Sequence, residues 1–288
     1  MKKFSGKASQ IKTKKKRWLQ VLVFSVCIVV IVVFLVSNTL KIQTVNLQQS
    51  SFSDVLRGKR AILLSDLHLS AGNKTSVSQL LFAIEKIKPD IIFLVGDFVP
   101  WTSTKEDYRN VFHFLKELSA PLGVYAVLGD SDYQRSRESC TFCHSQNIRK
   151  PTPLNQVKFI RDNFIDLNLN GRFLRIAGVD SREGLRPRLQ NVPPLIVRTP
   201  VILLSHTSTV YKKIPDSRNV LVLSGDTHGG QVYLPTFLWK LWGRKPDPEH
   251  MYGYFKDGEK SLYVTSGTGT SDLPFRFGVR PEIAVFKF

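Results

Sequence analysis

Apolar and polar positions divide this chain into stretches of different period. From Trp18 to Leu40 no charged residue occurs, and Leu19 to Val36 is almost wholly Val, Ile, Leu and Phe. About twenty such residues match the hydrocarbon core of a bilayer, which predicts a transmembrane helix over residues 18–40. A cleaved signal peptide would carry a shorter apolar region followed by a small-residue site. Val36-Ser37-Asn38-Thr39-Leu40 offers no such site, so the reading is an uncleaved anchor. Residues 41–58 are polar with scattered apolar positions, and read as a linker or a first edge strand.

From residue 59 onward, short apolar runs alternate with helical spacing. Arg60–Ser65, Ile91–Val95 and Val124–Leu128 are buried-strand runs, while Val77–Ile87 and Lys105–Glu117 repeat their apolar residues at helical intervals. Strand–helix–strand alternation implies parallel crossovers and an α/β sheet. A further helix is expected near Leu154 to Asn163. Asn170-Gly171, set between Ile165–Leu169 and Arg172–Ala177, is a hairpin signal. Val201–Leu204, Val220–Leu223, Leu262–Thr265 and Ile283–Phe286 complete a second set of strands. Residues 139–153 and 184–200 read as irregular insertions, and there is no internal repeat. A two-sheet sandwich fits this order better than one open sheet, with a basic tail over 1–17, the anchor over 18–40, the linker over 41–58 and a globular domain over 59–288.

Charge refines the picture. The formal net charge is +18, eight cations lie between Lys2 and Arg17, and the first acid is Asp54. A Lys-rich flank before an apolar span predicts a cytoplasmic N-terminus, with the globular domain across the membrane. The basic remainder suits an anionic membrane surface or phosphorylated substrates, although for any one cation a solvated face is the plainer reading. No basic and aromatic stacking platform occurs, so nucleic acid is not an expected partner. Cys27 reads as a small apolar residue within the span. Cys140-Thr-Phe-Cys143-His144 has the spacing of a c-type haem attachment, but nothing else resembles a haem pocket. A local disulfide, a half metal site or a redox pair fits those residues better on an oxidising side of a membrane. Phe237, Trp239, Leu241 and Trp242 form an apolar cluster that either meets the bilayer or packs as core.

Five segments carry the chemistry: Asp66-Leu67-His68, Gly96-Asp97, Gly129-Asp130-Ser131-Asp132, Ser205-His206 and Gly225-Asp226-Thr227-His228-Gly229-Gly230-Gln231. Each follows an apolar run, at the strand end where α/β sheets bind ligands. Extended backbone would point Asp66 and His68 to the same side. One such segment alone is as readily a turn cap as a ligand pair. The set predicts a divalent metal site, and two metals held close together activate water and neutralise phosphate.

These segments resemble the calcineurin-like metallophosphoesterases, whose pattern runs Asp-x-His, Gly-Asp, Gly-Asn-His-Asp/Glu, His, Gly-His-x-His. The likeness covers roughly Lys59 to Phe288. The tail from Leu262 to Ile283 is similar to the membrane-associated bacterial branch, which includes phosphodiesterases and UDP-diacylglucosamine pyrophosphatases. The resemblance implies an αββα sandwich. By position it implies one metal held by Asp66, His68, Asp97 and His228, with Asp97 bridging to a second completed by Asp130, His206 and Asp226. It also implies catalytic roles for Asp97, Asp130, Asp132 and His228. Arg276 and Arg280 in the tail could reach substrate phosphates, since guanidinium forks match phosphate geometry; an ion pair is the plainer alternative.

The chain departs from the family pattern at three positions. Asp130 replaces an Asn, Ser131 replaces the His that assists the leaving group, and Asp226 replaces the first His of the last motif. A carboxylate-rich second site favours Mn²⁺, with Mg²⁺, Fe or Zn²⁺ as alternatives. Losing the His removes a general acid worth about 10² to 10⁴ in rate, a loss that is small when the leaving group is a phosphate. The expected function is therefore a membrane-anchored phosphoesterase. It would act on a phosphodiester or diphosphate, lipid- or nucleotide-linked, through a hydroxide bridging two divalent ions. The competing reading is a catalytically silent metal-binding interaction protein. Oligomeric state is not legible.

Overall fold

The computed structural model describes residues 3–47, 49–70, 74–133, 156–179, 199–233, 250–271 and 273–288. It opens with a long helix, α1 (Lys3–Ser37), whose stretch from Lys16 to Ser37 is apolar and long enough to cross a bilayer. Its side chains from Trp18 to Val36 stand almost entirely exposed, so among the described residues this stretch has no core to bury against.

The body is built on two mixed six-stranded sheets. The first contains β1 (Lys41–Asn46), β2 (Arg60–Leu64), β3 (Ile91–Val95), β4 (Val124–Val127), β5 (Val157–Phe159) and β12 (Glu282–Lys287), in the order β1-β12-β2-β3-β4-β5. The second contains β6 (Asn163–Leu169), β7 (Arg172–Val179), β8 (Val201–Ser205), β9 (Val220–Ser224), β10 (Gly253–Asp257) and β11 (Lys260–Val264), in the order β10-β11-β9-β8-β7-β6. Pairing from β2 to β5 and from β7 through β9 to β11 is parallel, while β12 runs antiparallel to β2.

Alternation along the strands divides the core. Ala61, Leu63, Phe93, Tyr125 and Val127 face Ile176, Ile202, Leu204, Leu221 and Leu223 across the gap between the sheets. Ile62, Leu64, Ile92, Leu94 and Ala126 point the other way, onto helices α3 (Lys74–Ile87) and α4 (Lys105–Glu117). Such strands are covered on both faces, which explains why their sequences are continuously apolar rather than alternating. Thr104 and Asp107 form a reciprocal cap that starts α4 where its helical spacing begins.

Two sequence expectations change here. A helix was expected near Leu154 to Asn163; the first two of those residues lie outside the described ones, and the rest form none: Val157–Phe159 is a strand that extends the sheet beside β4, and Asn163 opens β6. Pairing supplies the reason, because the register of Val124 with Val157 and the Ile160 N–H on Ala126 O at 2.8 Å satisfy a sheet edge that a helix would leave open. Residues 41–58, for which linker and edge strand were both open, contain β1 at the sheet edge and a short helix, α2 (Ser50–Leu56), with Phe52 and Leu56 fully buried. The Asn170-Gly171 hairpin is as expected, joining β6 to β7. Cys140, Cys143, His144 and the cluster from Phe237 to Trp242 lie outside the described residues.

Candidate metal centre

The carboxyl ends of β2, β3, β4, β8 and β9 converge, and the chemistry-bearing segments follow each of them. The loops are tied together by main chain: Asp66 N–H donates to Gly96 O at 3.0 Å, His68 N–H to Asp97 O at 3.0 Å and Gly225 N–H to His206 O at 2.9 Å. Asp66, His68, Asp97, Asp226 and His228 all take positive φ, between 39° and 72°. L-residues rarely hold that conformation, and clusters of it mark sites where surrounding structure imposes strain. The expected extended geometry of Asp66-Leu67-His68 is thus replaced by left-handed turns, which still bring both side chains inward. Close approach also requires glycine: a Cβ at Gly129 would strike the Asp97 carboxylate, and one at Gly225 would strike Ser65 and the Asp66 carboxylate.

Two overlapping sets result. Asp66, His68 and His228 place one donor atom each within 4.8 Å of one another, and so do Asp66, Asp97 and His206. His68 Nε2 lies 3.2 Å from His228 Nε2, with the rings stacked. Asp97 sits between the sets, 3.5 Å from His68 Nε2 through one oxygen and 3.4 Å from His206 Nε2 through the other. Asp226 reaches to 3.8 Å from His206 Nε2, and Asp130 is near enough to Asp226 to raise its pKa. The expected ligands are therefore gathered at one place.

His206 tests whether cations fit. Its Nδ1 is 2.7 Å from Val95 O, and a carbonyl only accepts, so the proton must be on Nδ1 in the neutral ring. Nε2 is then a lone pair; it is fully buried and has no hydrogen-bond partner. An orphaned acceptor among carboxylates is what a ligand histidine looks like, its second nitrogen fixing the tautomer. With no cation bound, burial disfavours charge on His206, but the Asp97 carboxylate beside Nε2 outweighs it and holds the ring well above its ordinary value, so a proton competes for the position that a cation would take. Burial raises Asp226 to about 6, and the carboxylates of Asp66, Asp130 and Asp97 reinforce that shift against His206. Burial, aided by His68 and Arg276 and opposed by Asp66, lowers His228 to about 4, which keeps it a neutral donor. These residues fit divalent cations; the donor types do not distinguish Mn²⁺ from Mg²⁺, Fe or Zn²⁺.

Around the candidate ligands the structure shows roles that spacing alone did not reveal. Asp132, expected to assist catalysis, is 2% exposed and accepts the N–H groups of Asp97, Phe98 and Gly129 at 2.9 Å each. It joins the β3 and β4 loops, while burial and the Asp97 carboxylate push it up to about 8. Ser131 is fully buried; its Oγ donates to Val99 O at 2.7 Å and its N–H to Asp97 Oδ1 at 3.0 Å.

The two arginines expected at substrate phosphates meet protein carbonyls instead. Arg276 is 1% exposed and donates to His228 O at 3.2 Å, Ser266 O at 2.7 Å and Gly269 O at 3.0 Å, with Nη2 3.4 Å from His228 Nδ1. Burial lowers it to about 10, so it stays charged at neutral pH. Arg280 donates to Thr39 O at 3.1 Å and Leu40 O at 3.2 Å. Gln231 pins the tail by bonding Leu273 O, Phe275 O and the Ser271 N–H. The Gly-Gly-Gln run after His228 was its only sequence signal. His250 carries no ligand role here, its ring lying edge-on to Tyr211 and Phe255.

Comparison with known proteins agrees with this geometry. The metallophosphoesterase YkuE of Bacillus subtilis, itself uncharacterised, is 28% identical over 238 residues, covering 80% of this chain and 78% of its own. The UDP-2,3-diacylglucosamine pyrophosphatase LpxG of Chlamydia trachomatis is 27% identical over 302 residues, covering 87% of this chain and 89% of its own. A transmembrane protein with metallophosphoesterase domain from Danio rerio is 26% identical over 257 residues, covering 84% of this chain and 56% of its own. The sequence profile of the calcineurin-like phosphoesterases matches residues 59–230, a span that contains every residue of the metal cluster, and the chain belongs to that family.

Proposed function

We propose that this protein is a membrane-anchored, two-metal phosphoesterase that hydrolyses a phosphodiester or diphosphate bond. The observation that carries the reading is the buried, unpartnered Nε2 of His206, facing Asp97 in a cluster that continues through Asp66 to His68 and His228. When bound, two divalent cations supply a more acidic water and positive charge against the phosphoryl oxygens. Asp66, His68 and His228 would hold one, Asp97 would be shared, and His206, Asp226 and Asp130 would hold the other. Mn²⁺ suits the carboxylate-rich second position.

The chain's own residues bear on the substrate. Ser131 occupies the place of the family's catalytic His, and its hydroxyl proton is committed to Val99 O. Asp132 is enclosed by three N–H groups, so neither side chain is aimed at a leaving group. A phosphate leaves without a proton, whereas an alkoxide does not. This favours a diphosphate over an alkyl phosphomonoester. Relatedness to LpxG, named as a UDP-2,3-diacylglucosamine pyrophosphatase, supports the same choice.

Anchoring rests on α1. Its apolar surface from Trp18 to Val36 is exposed in the protein, and a bilayer is the environment that removes such area from water. The Lys-rich flank favours a cytoplasmic N-terminus and an extracytoplasmic domain.

The test is hydrolysis of a chromogenic phosphodiester by the full-length chain in detergent with Mn²⁺ present. Metal-dependent turnover that disappears in Asp97→Ala supports the proposal. Turnover that survives Asp97→Ala would refute it. Metal binding without turnover would favour a silent binding protein, a reading that the committed hydroxyl of Ser131 also supports.

A further inference from the structure

The foot of α1 is joined to the metal centre by fixed contacts. Ser37 Oγ accepts the Gly278 N–H at 2.7 Å. Asn38 pairs with both main-chain groups of Arg276, accepting its N–H at 3.1 Å and donating to its carbonyl at 3.2 Å. The Phe34 ring stands 5.9 Å from Phe275. Arg276 in turn bonds the main chain of His228. A few residues of ordered chain thus separate the end of the apolar helix from a metal-site histidine.

A cavity of about 560 Å³ lies beside these residues. Gly229, next to His228, and Gly278, bonded to the end of α1, both line it. Its walls are mainly Tyr233, Met251, Tyr252, Phe255 and Val279, with the cations of Lys41 and Arg280 at its border. Tyr233 is 58% exposed and Tyr252 is 38% exposed. Half-exposed tyrosines and cations beside the end of an apolar span are the composition of a membrane–water interface. The volume lies within the range of pockets that enclose an organic ligand.

Building on the phosphoesterase reading, we propose that this cavity receives an acyl chain of a lipid phosphate drawn from the bilayer, the phosphate lying at the metal centre beside Gly229. The apolar walls suit a hydrocarbon chain. Gly278, bonded to Ser37, and Lys41, just past the end of α1, set the cavity beside the point where the anchor leaves the bilayer, so its nearest apolar ligand is an acyl chain, which must be kept from water as a free nucleotide need not be. Lys41 and Arg280 stand where anionic headgroups lie, although Arg280 also holds the Thr39 and Leu40 carbonyls.

The test uses the full-length chain in nanodiscs of phosphatidylcholine and phosphatidylglycerol. A phosphatidylglycerol probe carries a diazirine near one acyl terminus, and labelled residues are located by mass spectrometry after illumination. Label on 251–255 and 278–279, in addition to the anchor, is expected. It should be lost from those residues alone in Val279→Trp and, as a second blocking variant, in Met251→Trp. Label confined to residues 18–37 would overturn the proposal, and so would pocket label displaced by soluble UDP, which would indicate a nucleotide site. Turnover of a chromogenic diester is measured on the same preparation. Turnover without pocket label removes the acyl site and leaves the phosphoesterase, whereas pocket label without turnover leaves a lipid site and removes the hydrolytic reading.

Discussion

His206 Nδ1 and the carbonyl of Val95 are 2.7 Å apart, and this contact sets which way the metal-facing nitrogen of the ring presents its lone pair. Val95 ends β3, so the strand that delivers Asp97 also orients His206. His206→Ala, which leaves no donor atom between Asp97 and Asp226, should weaken one of two bound ions. Loss of an outer partner alone costs about 10 to 100-fold in affinity, so a ligand loss should cost at least that. Calorimetric titration of Mn²⁺ reads it, and unchanged affinity at both positions would show that His206 is not a ligand.

Arg276 is charged, buried and shared among three carbonyls. Arg276→Lys keeps the charge and loses the planar fork. Stranding buried carbonyls costs about 1–3 kcal/mol each, so denaturant unfolding should shift by at least that much. Because one of those carbonyls belongs to His228, metal affinity should fall as well. A lower stability with unaltered Mn²⁺ affinity would reduce Arg276 to a purely structural role.

Away from the metal centre, Tyr252 and Tyr263 donate to the buried carboxylate of Glu282 at 2.6 and 2.9 Å. Burial and that carboxylate raise both phenols above their ordinary value of 10.0. The folded state therefore holds phenolic protons that the unfolded state releases above pH 10. Stability should be level up to about pH 10 and fall beyond it as those protons are lost. Tyr263→Phe should be less stable at neutral pH, because Glu282 loses a donor, and should show a shallower alkaline decline. Equal alkaline slopes in the two proteins would exclude this linkage.

Ser131 gives the leaving-group prediction. With its hydroxyl donated to Val99 O, alkyl phosphomonoesters should be hydrolysed more slowly than matched diphosphates, by a factor on the order of 10² to 10⁴. Ser131→Ala should retain that preference. Equal rates on the two substrate classes would require an acid that the geometry does not provide.

How far this protein could be read from sequence follows from where each interaction is encoded. Apolar runs ending in Asp, His or Gly carry their own period and punctuation, so β2, β3, β4, β8 and β9 and the clustered Asp and His residues that follow them were visible. Asp132 was visible as a residue but not as a scaffold, because its partners are main-chain N–H groups, two of them on the loop after β3. Arg276 was misplaced for the same reason: carbonyls of His228, Ser266 and Gly269 have no side-chain signature. The short β5 was hidden because three residues carry too little pattern, and only the register with β4 decides their state. The left-handed turns at Asp66 and His68 overrode the extended geometry that an Asp-x-His spacing implies, since close packing of the loops, not local propensity, sets those angles.

The central claim is that two cations, shared through Asp97, make this chain a hydrolase. Counting bound Mn²⁺ by calorimetry while following chromogenic diester turnover in the same titration tests it most directly. Two ions per chain are expected, with turnover rising as the second is bound and absent in Asp97→Ala. A single ion at saturation, or two ions with no turnover, would contradict it.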